Sequence, residues 1–275
     1  MINRFIYKDA KEVGLNVVFG TDDNSLTYEL LGMFIFLMVW GAASFLLSLK
    51  PGFEQFHGFA PVPTFKALWV AVRENRFWVS VWASLRRVGM GIFIAAFLGI
   101  PAGIIVGFFP KMRKLTYSPV QFLRMISPLS WMPVAVLVFA HFDSAVDFLI
   151  AMATIWPIIL NTAMGVMNIN PQWIKMALNQ GADNVQLLRT IIIPFSLPCF
   201  LTSLRLALGI AWIVLVPAEF LGVSSGLGYL INDARDTMEY DRLMAMIIAI
   251  GILGFILDRI FQKIQTYFSR AWVES

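Results

Sequence analysis

The chain has 275 residues, of which 59% are hydrophobic and 14% charged, with a formal net charge of +4. Soluble domains hold about 45–50% apolar and about 25% charged residues, so this composition excludes an ordinary soluble enzyme and describes an integral membrane protein. The single cysteine, Cys199, excludes an internal disulfide, and a modest basic excess in such a chain reports orientation before nucleic-acid binding.

Residues 1–29 are polar and mixed in charge (Arg4, Lys8, Asp9, Lys11, Glu12, Asp22, Asp23). They read as a cytoplasmic segment without the early apolar core of a cleavable signal peptide. A helix needs about 20 apolar residues to cross the hydrocarbon. Residues 30–49 meet that length with no charge and form the first span. Residues 50–80 read as an external loop containing an amphipathic helix. Phe65, Leu68, Trp69 and Val72 share one face there, while Lys66, Arg73 and Glu74 point elsewhere, a pattern suited to the interface plane.

Residues 81–270 read as a core with five more spans, at 88–109, 125–142, 148–169, 194–218 and 243–257, the last continuing towards Tyr267. Gly89, Gly91, Gly99, Gly103 and Gly107 stud the second span together with Pro101, which predicts close helix–helix contact rather than lipid exposure. Acids are expected to be absent from the span interiors. With both termini inside, the inner segments hold 12 Lys/Arg and the outer ones 8, Arg205 being left out of the count. The positive-inside rule therefore favours cytoplasmic termini, with residues 50–87 and their six basic residues as the dissenting segment.

On this orientation residues 170–193 face the cytoplasm. Asn170 can cap a helix with Pro171 at its first position. Gly181 fits a left-handed stop after Gln180. Asp183 can cap a second helix, with Gln186 completing a capping box, and Pro194 ends that helix where the fifth span begins. The expected result is a helix, a turn and a second helix against the membrane surface.

Ionisable and polar groups on apolar spans are the candidate pathway residues. Arg205 sits about half a span from either end of the fifth helix, and Arg86 and Arg87 precede the second span in a similar Ser-Leu-Arg context. An arginine can fork onto a planar oxyanion. Its structural alternative is a pair with a carboxylate or a helix end. Ser127, Ser130 and Trp131 stand in the proline-broken start of the third span, where Pro128 and Pro133 free backbone groups that can line a cavity. Asn161 and Thr162 follow Trp156-Pro157 in the fourth span, and interhelical bonding is their plain alternative. Glu219 ends the fifth span and reads as a gate or a structural partner. His57 and His141 lie in separate connections, so neither a metal cluster nor a catalytic set is expected.

The stretch ALNQGADNVQLLRTIIIP, residues 177–194, resembles the EAA loop of ABC-importer permeases. Ala177, Gly181 and Pro194 stand at matching positions, Lys175 replaces the usual glutamate and Met176 the first alanine. The segments SLRRVGMGIFIAAFLGIPAGIIVG, ISPLSWMPVAVLVF, IWPIILNTAMGV and EFLGVSSGLGYLINDARD resemble the nitrate/sulfonate/taurine/bicarbonate group, above all its nitrate and bicarbonate permeases. The resemblance implies an all-α membrane protein of six transmembrane helices with the type I ABC-importer permease fold, an interfacial amphipathic helix and a cytoplasmic coupling helix. It implies a multi-pass subunit of the bacterial inner membrane that pairs with a second copy and is not itself an enzyme. Two cytoplasmic ABC ATPases would dock on the coupling loops through Lys175, Ala177, Gly181, Ala182, Asp183 and Pro194, and an external binding protein would deliver a small anion. No G-x-x-x-x-G-K-[ST] occurs in this sequence, so ATP and Mg are expected on the partner ATPase and no cofactor on this chain. A sulfonate or taurine permease is the alternative substrate class, and an ion-coupled secondary transporter the alternative of another class.

Overall fold

The computed structural model describes residues 25–49, 54–220 and 222–273, and every regular element among them is helical. Most of the expected N-terminal cytoplasmic segment lies outside the described residues. Two compact units divide the chain between Ala67 and Leu68. The first holds α1 (Ser25–Ser48), a 3-10 turn (Glu54–Phe59) and the start of α2 (Pro61–Ala71). Helix α1 is apolar on every side and largely exposed in the isolated chain, as suits a helix surrounded by lipid. Trp40 meets Phe65 edge-on at 6.2 Å between ring centroids.

The amphipathic face expected in this region is present but differently edged. Phe65 and Trp69 are exposed on α2, and the helix stops at Ala71 before Val72. Arg73 does not point away: its guanidinium lies 4.4 Å over the Trp69 ring. Glu74 is drawn to Arg242 in an ion pair.

The second unit contains α3 (Asn75–Phe108), α4 (Pro110–Met125), a 3-10 turn (Pro128–Trp131), α5 (Met132–Val138) and α6 (Phe142–Met167). After these come α7 (Pro171–Asn179), α8 (Asn184–Leu187), α9 (Ile193–Glu219), α10 (Leu227–Asp236) and α11 (Tyr240–Val273). Helices α3 and α6 run side by side in the same direction. Small residues make this possible: Gly91, Ala95, Gly99, Gly103 and Gly107 recur every four residues and are all buried. A Cβ at Gly91 would stand 2.5 Å from Ile150 Cγ2, at Gly103 2.6 Å from Thr162 Cβ, and at Gly107 2.7 Å from the Ala163 carbonyl. In lipid, where apolar burial does not drive helix association, such backbone approach supplies the packing energy. Gly89 departs from the expectation, with no atom within 4 Å of its missing side chain.

Helix α9 packs antiparallel on this pair. Gly165 admits Cys199 at its inner end, where a Cβ on the glycine would be 2.7 Å from that of the cysteine. Leu149, Ile150, Leu208 and Leu215 fill one layer of the three-helix core, Ala95, Ile158 and Ala207 the next, and Val166, Ile169, Leu187 and Ile192 the last.

Five described helices are long and apolar enough to cross a membrane, and the pair α4 plus Pro128–Val138, bent by 85°, makes a sixth when taken as one broken span. The third span expected at 125–142 is therefore not a straight helix. It starts at Pro110, and its break falls at Ile126–Ser127, where Pro128 and Pro133 interrupt the hydrogen-bond ladder. Helix α3 starts at Asn75 rather than at 88, and α6 at Phe142 rather than at 148. Acids consequently do lie within spans, Asp147 in α6 and Asp258 in α11. Charges hid these helix ends from a hydropathy reading: Arg76, Arg86, Arg87 and Asp143 pair across helices, whereas the buried Oδ1 of Asp147 has no hydrogen-bond partner.

Candidate functional site

The loop between α6 and α9 is built by local rules. Asn170 Oδ1 accepts from the Gln172 N–H at 2.9 Å, and Pro171 opens α7 without a wasted donor. At the other end Gly181 has φ +83. Its N–H donates to Leu178 O and that of Ala182 to Ala177 O, each at 3.0 Å, which is a Schellman stop. The capping box follows: Asp183 Oδ1 accepts from Gln186 N at 2.6 Å, and Gln186 Oε1 accepts from Asp183 N at 3.1 Å.

The second helix is shorter than expected. Helix α8 is a single turn, and a π turn (Leu188–Ile192) carries it straight into α9, where the Ile193 N–H reaches back to Leu188 O. Pro194 has no N–H to give, so the widened turn re-registers the ladder instead of ending it. The protrusion is anchored by Leu187 and Ile192 in the core and by Trp173 packed on Phe195 at 4.3 Å. Lys175, Met176, Leu178, Gly181, Asp183 and Val185 remain exposed, with Ala177, Ala182 and Pro194 partly covered. This gives a stiff two-element protrusion with an apolar and a cationic surface.

A buried charge cluster occupies the opposite end of the core. Arg87 on α3 is 2% exposed and Glu219 on α9 is 1% exposed. Arg87 Nη1 donates to Glu219 Oε1 at 2.6 Å and to Ser225 O at 2.7 Å, and its Nε donates to Asp143 Oδ1 at 2.7 Å. Ser84 donates to the same Glu219 oxygen at 2.7 Å while accepting from the Leu227 N–H, and Gly228 N donates to Glu219 Oε2 at 2.7 Å. The carboxylate thus accepts three hydrogen bonds, two from α3 and one from α10. Gly226, at φ +129, is required where the chain passes this pair, since a Cβ there would overlap Glu219 Oε1 and lie 2.6 Å from Arg87 Nη1.

Arg86, the neighbouring candidate, is half exposed and stands 3.7 Å from Asp143. Arg205 is held in a fork by Asp258 of α11, both contacts being 2.8 Å, and the next polar rung has Gln265 donating to Thr202 at 2.9 Å. Asn161 turns back on its own helix to Pro157 O at 2.8 Å. Thr162 is buried against Gly103, and its hydroxyl has no partner. Ser127 and Ser130 are exposed on the break in the third span, while Trp131 packs on the core beside Ala135.

The structure therefore separates the candidates. Arg87 joins Glu219, Arg205 joins Asp258, and the two serines stand at a bend. Sequence reasoning missed Ser84, Asp143, Ser225 and Asp258. The signal for them was the lone arginines themselves, since a charge inside a span calls for a carboxylate. Among the described residues no group of three or more His, Cys, Asp or Glu could hold a metal ion.

Comparison with known proteins identifies the family. Residues 99–272 match the family described as binding-protein-dependent transport system inner membrane component. The bicarbonate transport system permease protein CmpB of Synechococcus elongatus is 35% identical over 72% of this chain and 71% of its own length. The nitrate import permease protein NrtB of Leptolyngbya laminosa is 33% identical over 67% of this chain and 66% of its own. The taurine transport system permease protein TauC of Escherichia coli is 32% identical over 67% of both chains. In three dimensions the chain is similar to the MetNI methionine ABC transporter in an inward-facing conformation. The TM-score is 0.60 at 16% identity, covering 72% of this chain and 98% of that one, which shows the same type I permease fold.

Proposed function

The chain belongs to the family of binding-protein-dependent transport system inner membrane components, and on that premise we propose that it forms, with a second copy, the pathway of an ATP-driven importer for a small inorganic anion. It is a permease subunit of the ABC-importer type and carries no catalysis of its own. Nitrate or nitrite is the first substrate reading and bicarbonate the next, in line with the relatives CmpB and NrtB. A sulfonate such as taurine is the second reading, favoured by the likeness to TauC.

The observation that carries the reading is the protrusion at Asn170–Ile193. A Schellman stop, a capping box and a core anchor hold it stiff, so a push at its surface is passed to α6 and α9 instead of being lost in loop motion. The partner for it is a cytoplasmic ABC ATPase, one per permease copy, which supplies ATP and Mg. Lys175, Ala177, Gly181, Ala182, Asp183 and Pro194 form the docking element. An external binding protein delivers the substrate at the other end, by the Arg87–Glu219 cluster. Both termini lie in the cytoplasm on this reading. Of the six basic residues assigned outside in the dissenting segment, Arg76, Arg86 and Arg87 belong to α3 itself and face carboxylates. Their removal from the loop count favours the orientation further.

Reconstitution tests the proposal. The chain with its ATPase and binding protein in proteoliposomes is expected to take up nitrate only when ATP is present. Uptake by the chain alone down an ion gradient would overturn the reading in favour of a secondary transporter. Competition by bicarbonate and by taurine ranks the substrates.

A further inference from the structure

The bent third segment carries a charge for which no described residue supplies an ion pair. Helix α4 starts at Pro110, directly after Gly107 packs on Ala163 and Val166 near the last turn of α6. Helix α6 starts at Phe142 at the far end of the core, so the segment between must climb its whole height. Arg124 is the fifteenth residue of α4, fourteen steps and about 21 Å along the helix from Pro110. In a helix that stands across the membrane from Pro110, that distance falls well inside a hydrocarbon layer about 30 Å thick. It is not the loop residue that a hydropathy reading makes of it.

Arginines packed in the core are matched, whereas Arg113, near the start of α4, makes no ion pair among the described residues either. Arg87 has Glu219 and Asp143, Arg205 has Asp258, and Arg259 leans on the Phe255 ring at 5.0 Å. Arg124 is exposed and makes no ion pair among the described residues. A bare cation facing hydrocarbon costs several kcal/mol, so this face of the broken span meets water. The backbone agrees. Two residues beyond Met125 the chain leaves the helix at an 85° bend, and non-helical backbone is tolerated at membrane depth where it lines a water-filled cavity. Ser127 and Ser130 are exposed on this bend, Ser130 donates its N–H to Ser127 O at 2.9 Å, and neither hydroxyl makes a hydrogen bond among the described residues. Helix α4 buries no residue, and a largely apolar cleft of roughly 170 Å³ lined by Arg113, Tyr117, Gln121 and Leu160 lies between it and α6, stopping short of Arg124.

We propose that Arg124, with the hydroxyls of Ser127 and Ser130, forms a mid-membrane binding station for a small oxyanion on its way through the permease. The guanidinium supplies a planar fork for two substrate oxygens, and the serines supply neutral donors beside it. One unmatched cation attracts the anion without the deep trap that a cluster would make, as passage requires. This deepens the importer reading and rests on it.

The test uses the chain assembled with its ATPase and binding protein in proteoliposomes, with nitrate as the probe. Arg124→Gln is expected to lower uptake about tenfold or more, and Arg124→Lys to raise the KM for nitrate while keeping part of the rate. In a Cys199→Ala background, Arg124→Cys is expected to recover uptake after reaction with a cationic thiosulfonate but not with an anionic one. Nitrate is expected to slow that reaction. Wild-type uptake by Arg124→Gln would overturn the proposal, as would labelling indifferent to nitrate. Should Arg124→Gln fail to assemble, an unchanged KM in Arg124→Lys overturns it equally. Failure of the importer reading looks different: the unaltered chain then shows no ATP-dependent uptake at all.

Discussion

Glu219 shows how a single residue's role depends on what surrounds it. Its carboxylate accepts from Ser84, Arg87 and Gly228, and Arg87 in turn holds Asp143 and the Ser225 carbonyl. Removing one member of such a pair leaves the other's charge buried and unanswered, at a cost of about 3–5 kcal/mol, whereas removing both leaves neither of the two buried charges. Arg87→Met is therefore expected to lower thermal stability in detergent by about that amount. Arg87→Met combined with Glu219→Met should recover a substantial part of the loss. A double variant less stable than Arg87→Met would show that the pair does not act as one unit. Arg87 and Glu219 were each conspicuous as charges in apolar surroundings. Their partnership was not, because 132 positions separate them and only the packing of α3 on α9 brings them to 2.6 Å.

At the scale of the element, the glycine stripe on α3 and the capped loop make opposite demands on side chains. Gly103→Leu would drive a side chain into Thr162 and the Ile159 carbonyl. Overpacking of this kind costs about 1–3 kcal/mol, and loss of folded, detergent-soluble protein is the expected readout. Gly89→Leu meets nothing within 4 Å and should be tolerated. In the loop, Gly181 has open space around it but a φ of +83, so its demand is conformational. Gly181→Val should uncouple ATP hydrolysis from nitrate uptake while leaving expression unchanged, because a β-branched residue is strained at that φ. Coupled transport at the normal ratio in that variant would remove Gly181 from the mechanism. Asp183→Ala deletes the cap and is expected to cost about 1 kcal/mol, read as faster proteolysis near residue 183. The caps at Asn170, Gly181 and Asp183 were legible in sequence because they depend on residues one to three positions apart. The π turn at Leu188–Ile192 and the bend after Met125 were not, since each reflects how a proline's missing donor is absorbed by the surrounding packing.

For the whole molecule, topology is the property to test. In a Cys199→Ala background, a cysteine at Gln180 should react with a membrane-impermeant thiol reagent only from the cytoplasmic side, and one at Asp236 only from outside. Labelling of both from one side would reverse or break the proposed orientation. The number of crossings, the site of the protruding loop and the family likeness all come from the sequence by itself. They rest on composition and on short-range grammar: runs of about 20 apolar residues, caps and glycines at fixed spacing, which folding leaves nearly unchanged. Tertiary structure alone decided where charged helices truly begin, which arginines are matched and which is left bare. A charge is admitted to a membrane by a partner or by water. The partners here, Asp143, Asp258 and Glu219, come from helices distant in sequence, and the fold sets Arg124 on a bend beyond the reach of any of them.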